Sequence, residues 1–242
     1  MIQKKSYPNI IKLAEDLAKY AEEVLQETLT IKENAILVVP GGDSPRDYLP
    51  ILAKCNLPWN KITIMLSDER WVDSNHHFSN EKMINEYLMQ NIAISPHPSF
   101  VSLKTLHKNP ANAIDEIHQR INRLSLPLNF TILGFGSDGH IASLFSDEDL
   151  VLSHKKHCIA TKSSNHNLPR ISLSLNILAN SENIALIVPN DEKRKELDRI
   201  LLNSNRSDIS KQPIFNLMQQ HKSLITIFEV ASDEVVYNHC GI

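Results

Sequence analysis

The strongest chemical signal in the 242-residue sequence is an aspartate two positions before a histidine, Asp138 and His140, in ILGFGSDGHIASLF (132–145). A neutral imidazole accepts a proton, and a carboxylate taking its other N–H holds it in the accepting tautomer. A helix from about Gly139 to Phe145 would set its positive end beside His140 and keep the imidazole uncharged. A histidine that caps a helix and an aspartate that fills a turn would look the same. Gly134, Gly136 and Gly139 also match G-x-G-x-x-G spacing. The match lies past mid-chain, its helix would be short, and no acidic residue ends a strand about 20 residues later, so no dinucleotide is expected. GFGSDG is not a G-x-S-x-G nucleophile elbow, so neither Ser137 nor Ser143 is expected to attack a carbonyl.

Two further clusters follow apolar runs. In VVPGGDSPRDYL, Gly41 and Gly42 precede Ser44-Pro45, which reads as an N-cap with proline in the first turn. Glycine-unmasked N–H groups and a helix N-terminus favour an anion such as phosphate; a plain strand-to-helix turn accounts for them equally well. In ITIMLSDERWV, Asp68 and Arg70 would share a rim with both glycine loops and could face one ligand, or they could belong to an exposed charged loop. His76-His77 lacks a third ligand at recognisable spacing, and His154, His157 and Cys158 do no better, so no metal is expected.

Composition narrows the classes. Lys+Arg 25 against Asp+Glu 28 gives a net charge of −3 without a basic block, so nucleic acid is not an expected partner. Three cysteines, Cys55, Cys158 and Cys240, without C-x-x-C spacing point to a reducing compartment rather than a disulfide framework. No apolar run approaches the length of a membrane span, and the N-terminus lacks signal-peptide features, so cytoplasm is the expected location. Only six glycines occur, against roughly 17 at average usage, and five of them lie in the two loops above, Gly241 being the sixth. Special backbone conformations are therefore expected there.

The positioning elements follow from patterning. A helical apolar period runs from about Asn9 to Thr28. Five short apolar runs, 35–39, 62–66, 130–133, 184–188 and 224–228, read as strands buried on both faces of a parallel sheet. Helices are expected between them near 45–54, 78–90, 110–124, 191–203 and 213–220, and 146–170 has room for a loop or a small excursion. The alternation predicts an α/β fold, one doubly wound, mostly parallel sheet flanked by helices, as a single domain over 1–242, with ligands beyond the carboxyl ends of the strands.

Taken together, PGGDSP, SDERWV with HHFSN, LGFGSDGHIASLF, LPRISLSLNIL and NDEK resemble the 6-phosphogluconolactonase family, relatives of glucosamine-6-phosphate isomerase. The resemblance spans about 35–230 and implies a glucosamine-6-phosphate-isomerase-like sheet. It also implies hydrolysis of 6-phospho-D-glucono-1,5-lactone to 6-phosphogluconate in the oxidative pentose phosphate pathway, without cofactor or metal. By position it assigns the catalytic histidine to His140 with Asp138 beside it, and the phosphate loop to Gly41, Gly42 and Ser44. Arg170 and Lys193 become cations against the substrate phosphate, and Arg70 faces the substrate. The implied partner is the small sugar-phosphate lactone, handled by a monomer or small homo-oligomer. Two departures stand out: Pro40, which lacks an N–H, where relatives often have serine, and Ser146-Asp147 where they commonly have Pro-Gly.

Two alternatives remain at this stage. An amino-sugar-phosphate isomerase/deaminase would share the sheet and loops, but those relatives carry Asn-Glu-Pro after the histidine segment and Asp-Glu-Tyr earlier, where this chain has ASLF and DERW. A non-catalytic sugar-phosphate-binding protein would keep the loop and the cations and leave His140 idle.

Overall fold

The computed structural model describes residues 1–93, 95–145, 147–152, 156–162, 168–203 and 207–231. Ser146, His154, Cys240 and Gly241 lie outside them. In chain order the elements are β1 (Ile2–Tyr7), α1 (Ile10–Ile31), β2 (Ala35–Val39), α2 (Pro45–Leu52), β3 (Ile62–Leu66), β4 (Asp68–Arg70), α3 (Asn80–Tyr87), β5 (Ser99–Val101), α4 (Ile114–Asn122), β6 (Phe130–Gly134) and α5 (Asp147–Leu152). There follow β7 (Cys158–Lys162), β8 (Pro169–Leu173), α6 (Leu175–Ala179), β9 (Asn183–Val188), α7 (Asp191–Leu202), α8 (Ser207–Ser210), α9 (Pro213–Gln220) and β10 (Ile225–Val230).

Seven strands form one sheet in the order β1-β10-β9-β6-β2-β3-β5, with every pairing parallel. Helices cover it. The buried face of α1 (Leu13, Leu17, Ala21, Val24, Leu25) recurs at helical spacing, and Asn9 caps the helix by accepting from the Lys12 N–H. Its Tyr20 packs edge-on to Phe130 of β6, ring centroids 5.8 Å apart. All five residues of β2 are buried, which is why that strand reads as a continuous apolar run. From β2 the chain winds outward through β3 to β5, then returns to β6 and winds the other way through β9 and β10. The reversal falls between β2 and β6, so the loops after these two strands open onto the switch-point crevice where such sheets bind ligands. These are the two glycine loops.

The five apolar runs form strands as expected. β1, by contrast, has no apolar run to announce it. It is an edge strand whose polar IQKKSY pairs in parallel with β10, and lysines on an edge discourage further strand addition. A second, three-stranded antiparallel sheet, β4-β8-β7, also lies outside the expected single sheet. It uses part of the 146–170 stretch and joins the Asp-Glu-Arg run to the Pro-Arg-Ile-Ser run.

Two local expectations need correction. Residues 139–145 form no helix: Gly139 (φ +84°) and Ala142 (φ +50°) are left-handed, and isolated bridges Phe135↔Ile141 and Ile141↔Leu144 fold the segment on itself. The segment that holds His140 therefore supplies no helix end of its own. Ser44 does precede Pro45 at the start of α2, but its backbone is already helical and its side chain makes no capping bond. The two described cysteines are free, and burial pushes their thiols up, Cys55 to about 11 and Cys158 to about 12, as befits small packed side chains. Among the described residues no helix is long and apolar enough to cross a membrane.

Candidate functional site

Gly41, Gly42, Ser44, Asp68, Arg70, His140, Arg170 and Lys193 line one cleft of about 170 Å³ at the switch point. A second lobe of about 340 Å³ adjoins it, sharing Gly42, Asp43 and Arg70 and walled by His77 and Phe78. A wider groove of about 880 Å³ between Trp71, Lys104 and Arg120 contains none of these groups except the chain next to Arg70; size alone would select it, chemistry does not.

Asp138 sits behind His140. Its Oδ1 lies 2.5 Å from His140 Nδ1 and 3.2 Å from the His140 backbone N–H. The bond with His140 holds the Asp138 carboxyl below its ordinary value, against the opposing effect of partial burial. An ionised carboxylate can only accept, so Nδ1 carries the proton and Nε2 is the basic nitrogen. Gly136 makes the arrangement possible, because a Cβ there would lie 2.1 Å from Nδ1. Phe145 backs the site: its ring centroid is 4.8 Å from that of His140 and 5.5 Å from the Arg170 guanidinium carbon.

The small sheet supplies the arginines. β4 and β8 pair with Asp68 opposite Ser172 and Arg70 opposite Arg170. Side chains alternate along a strand, so Asp68, Arg70, Arg170 and Ser172 share one face, while Glu69 and Ile171 share the other. Like charges directly opposite are unfavourable in a bare ladder. Here Asp68 offsets one of them: its Oδ2 is 3.8 Å from Arg170 Nη1, and the buried Ser143 hydroxyl lies between, donating to Oδ2 at 2.6 Å and accepting from Arg170 at 3.2 Å. Burial and the neighbouring Arg70 lower the pKa of Arg170, and Asp68 opposes them. Neither arginine's Nε, both buried, finds an acceptor among the described residues.

The glycine loop and α7 close the crevice. Gly42 has φ +91°, a left-handed backbone that suits glycine. Gly41 is needed for space, since a Cβ there would strike the Asn80 side chain at 2.1 Å. Gly134 has room for a Cβ, its nearest neighbour being Pro40 at 4.0 Å, so that glycine is not sterically required. Lys193 occupies the first turn of α7, where Asn190 accepts from its N–H. Burial pushes its ammonium pKa down, partly countered by Glu192, Asp138 and Asp43. A cation at a helix N-terminus opposes the helix dipole, and both together attract an anion. Among the described residues no three His, Cys, Asp or Glu side chains converge as metal ligands.

Ser143, Phe145, Glu69 and Asn80 are the participants that sequence reasoning missed. Alternation within the Asp-Glu-Arg run was the available signal for Glu69, since an extended run must send its middle residue away from the cleft.

Known proteins share this sheet and much of this sequence. The family model described as glucosamine-6-phosphate isomerases/6-phosphogluconolactonase matches residues 8–226. A 6-phosphogluconolactonase of Helicobacter pylori (strain 26695) is 30% identical over 213 residues, 88% of this chain and 91% of its own. One from Pseudomonas putida is 33% identical, covering 84% and 83%. The crystal structure of a 6-phosphogluconolactonase from Shewanella baltica superposes with a TM-score of 0.88 at 28% identity over 96% of this chain and 98% of that one. A match running from the first helix to the last strand, on a sheet that also superposes almost end to end, makes this chain a member of the glucosamine-6-phosphate isomerase/6-phosphogluconolactonase family.

Proposed function

We propose that this enzyme, a 6-phosphogluconolactonase by family and relatives, opens 6-phospho-D-glucono-1,5-lactone with a water deprotonated by His140. The observation that carries the reading is the Asp138–His140 pair, 2.5 Å apart, at the edge of a cleft lined by three cations. Nε2 takes a proton as water oxygen bonds to C1, giving a tetrahedral oxyanion. As the C1 carbonyl re-forms, the bond from C1 to the ring oxygen breaks and that oxygen recovers the proton from the imidazolium. The product is open-chain 6-phosphogluconate. Arg70, on the rim of the same cleft, is assigned to the oxyanion. Arg170, Lys193, Ser44 and the Gly41-Gly42 N–H groups hold the phosphate, as charge-assisted contacts from separate segments fix orientation as well as affinity.

The test compares freshly made 6-phosphogluconolactone with unphosphorylated gluconolactone and with glucosamine 6-phosphate. Two charge-assisted contacts at about 1.5–3 kcal/mol each correspond to a fall of about 10²–10⁴-fold in kcat/KM when the phosphate is removed. Glucosamine 6-phosphate is expected to stay unchanged. Equal turnover of both lactones would reject the phosphate assignments, and deamination of the amino sugar without lactone hydrolysis would reject the reaction.

A second expectation concerns Gly136. An added methyl displaces the imidazole, and misplacement of a reacting group by about 1 Å costs on the order of 10²-fold. Gly136→Ala should therefore lower kcat by about that factor with KM within twofold. A Gly136→Ala enzyme with wild-type kcat would show that the imidazole position is not critical.

A further inference from the structure

Glu69 is fully buried and belongs to no step above. Its side chain points away from the cleft, toward the start of α3, and its two oxygens accept four hydrogen bonds. Oε1 receives the backbone N–H groups of Arg70 (2.7 Å) and Asn80 (2.8 Å). Oε2 receives the Ser79 hydroxyl (3.0 Å) and the Glu81 N–H (2.7 Å). One carboxylate thus ties the end of β4 to the first turn of α3, across the intervening loop. Desolvation raises its pKa and these four donors act in the opposite direction.

The tied residues reach the cleft by two routes. Arg70 Nη1 donates to the Phe78 carbonyl at 3.0 Å, so the guanidinium is held by the loop whose far end Glu69 pins. Asn80 donates from Nδ2 to the Asp68 carbonyl at 2.9 Å and occupies the space left by the missing Gly41 side chain. Without the carboxylate, two backbone N–H groups at the head of α3 and the N–H of Arg70 itself lose their acceptor, and unpaired buried donors drive rearrangement.

We propose that Glu69 is a positioning residue: its buried carboxylate fixes the loop that aims the Arg70 guanidinium into the cleft and seats Asn80 against Gly41. The inference rests on the reading that Arg70 faces the substrate. It adds a requirement for an ionised acceptor outside the cleft.

The test is a double-mutant cycle. Glu69→Gln preserves shape but turns an amide NH₂ toward two donors, and kcat/KM should fall by about 10–100-fold, divided between kcat and KM as in Arg70→Ala. In an Arg70→Ala background the same change should cost less than threefold, because the group it positions is gone. Circular dichroism and thermal melting establish that each variant is folded at the assay temperature. If Glu69→Gln does not fold, Ser79→Ala removes one donor and is expected to cost about threefold in kcat/KM, again only when Arg70 is present. A folded Glu69→Gln enzyme with wild-type kcat/KM, or costs from either variant that add fully to that of Arg70→Ala, would overturn the proposal while leaving the reading of Arg70 intact. Arg70→Ala with unchanged kcat and KM would instead overturn the reading on which it rests.

Discussion

His140→Asn is expected to lower kcat for 6-phosphogluconolactone by about 10²–10⁴-fold, the usual contribution of a general base, while KM stays within about twofold. Asparagine can still meet the Asp138 carboxylate but offers no basic nitrogen, so the cleft and its cations persist and only proton removal is lost. Asp138→Asn separates the two halves of the pair. Its amide can donate to Nδ1 and so stabilise the tautomer with the proton on Nε2, which cannot accept from water. A fall in kcat is expected there too, with the imidazole still in place. The Asp138 carboxyl is held below its ordinary value, chiefly by its hydrogen bond with His140, which favours the acceptor form that keeps the proton on Nδ1. Lactones open slowly in water unaided, so rates must be read above that background. A His140→Asn enzyme keeping more than a tenth of wild-type kcat would remove His140 from the chemistry and point to another base, whereas binding of 6-phosphogluconate by both variants with acceleration by neither would favour a binding protein.

The five central strands of the main sheet were legible because they are buried on both faces. AILVV, ITIML and IALIV can be little else when separated by capped helices, and parallel order follows from the alternation. The edge strands β1 and β5 and the small antiparallel sheet were not, for physical reasons: an edge strand needs no apolar run, and β4 is three residues of which all are charged. The reading of 139–145 as helix failed where backbone geometry overrode composition, since Ala142 adopts a left-handed conformation uncommon for a residue with a Cβ. The failure bears on mechanism, because no helix starts in the histidine's own segment and the tautomer of His140 is set by the Asp138 carboxylate. Site residues within two positions of a glycine, such as His140 and Ser44, could be found from local pattern. Arg170 could not. Its position depends on an antiparallel register across 100 residues (Arg70↔Arg170), and only family resemblance pointed to it. Ser143 illustrates the same limit: dismissed as a nucleophile, it is the hydroxyl between Asp68 and Arg170.

That buried cluster sets the second large effect. Arg170→Met keeps the volume of the side chain but leaves the Asp68 carboxylate, itself 5% exposed, facing hydroxyls without its cation. Removing one member of a buried ion pair costs about 3–5 kcal/mol, because the remaining charge stays desolvated; the loss should appear as a lower melting temperature in the absence of ligand. Activity should fall through KM, since the cation lost is one of those assigned to the phosphate, with kcat less affected. Asp68→Asn in the same chain separates the two consequences. The double variant no longer buries an unpaired charge, so most of the stability should return, whereas the raised KM should not. Measured as a cycle, the coupling in stability is expected to be large and the recovery in KM negligible. If Arg170→Met melts like wild type, the pair with Asp68 contributes nothing to the fold. If its KM is unchanged, Arg170 does not touch the phosphate, and the opposition of Arg70 to Arg170 across the β4–β8 ladder must then be balanced by Asp68 alone.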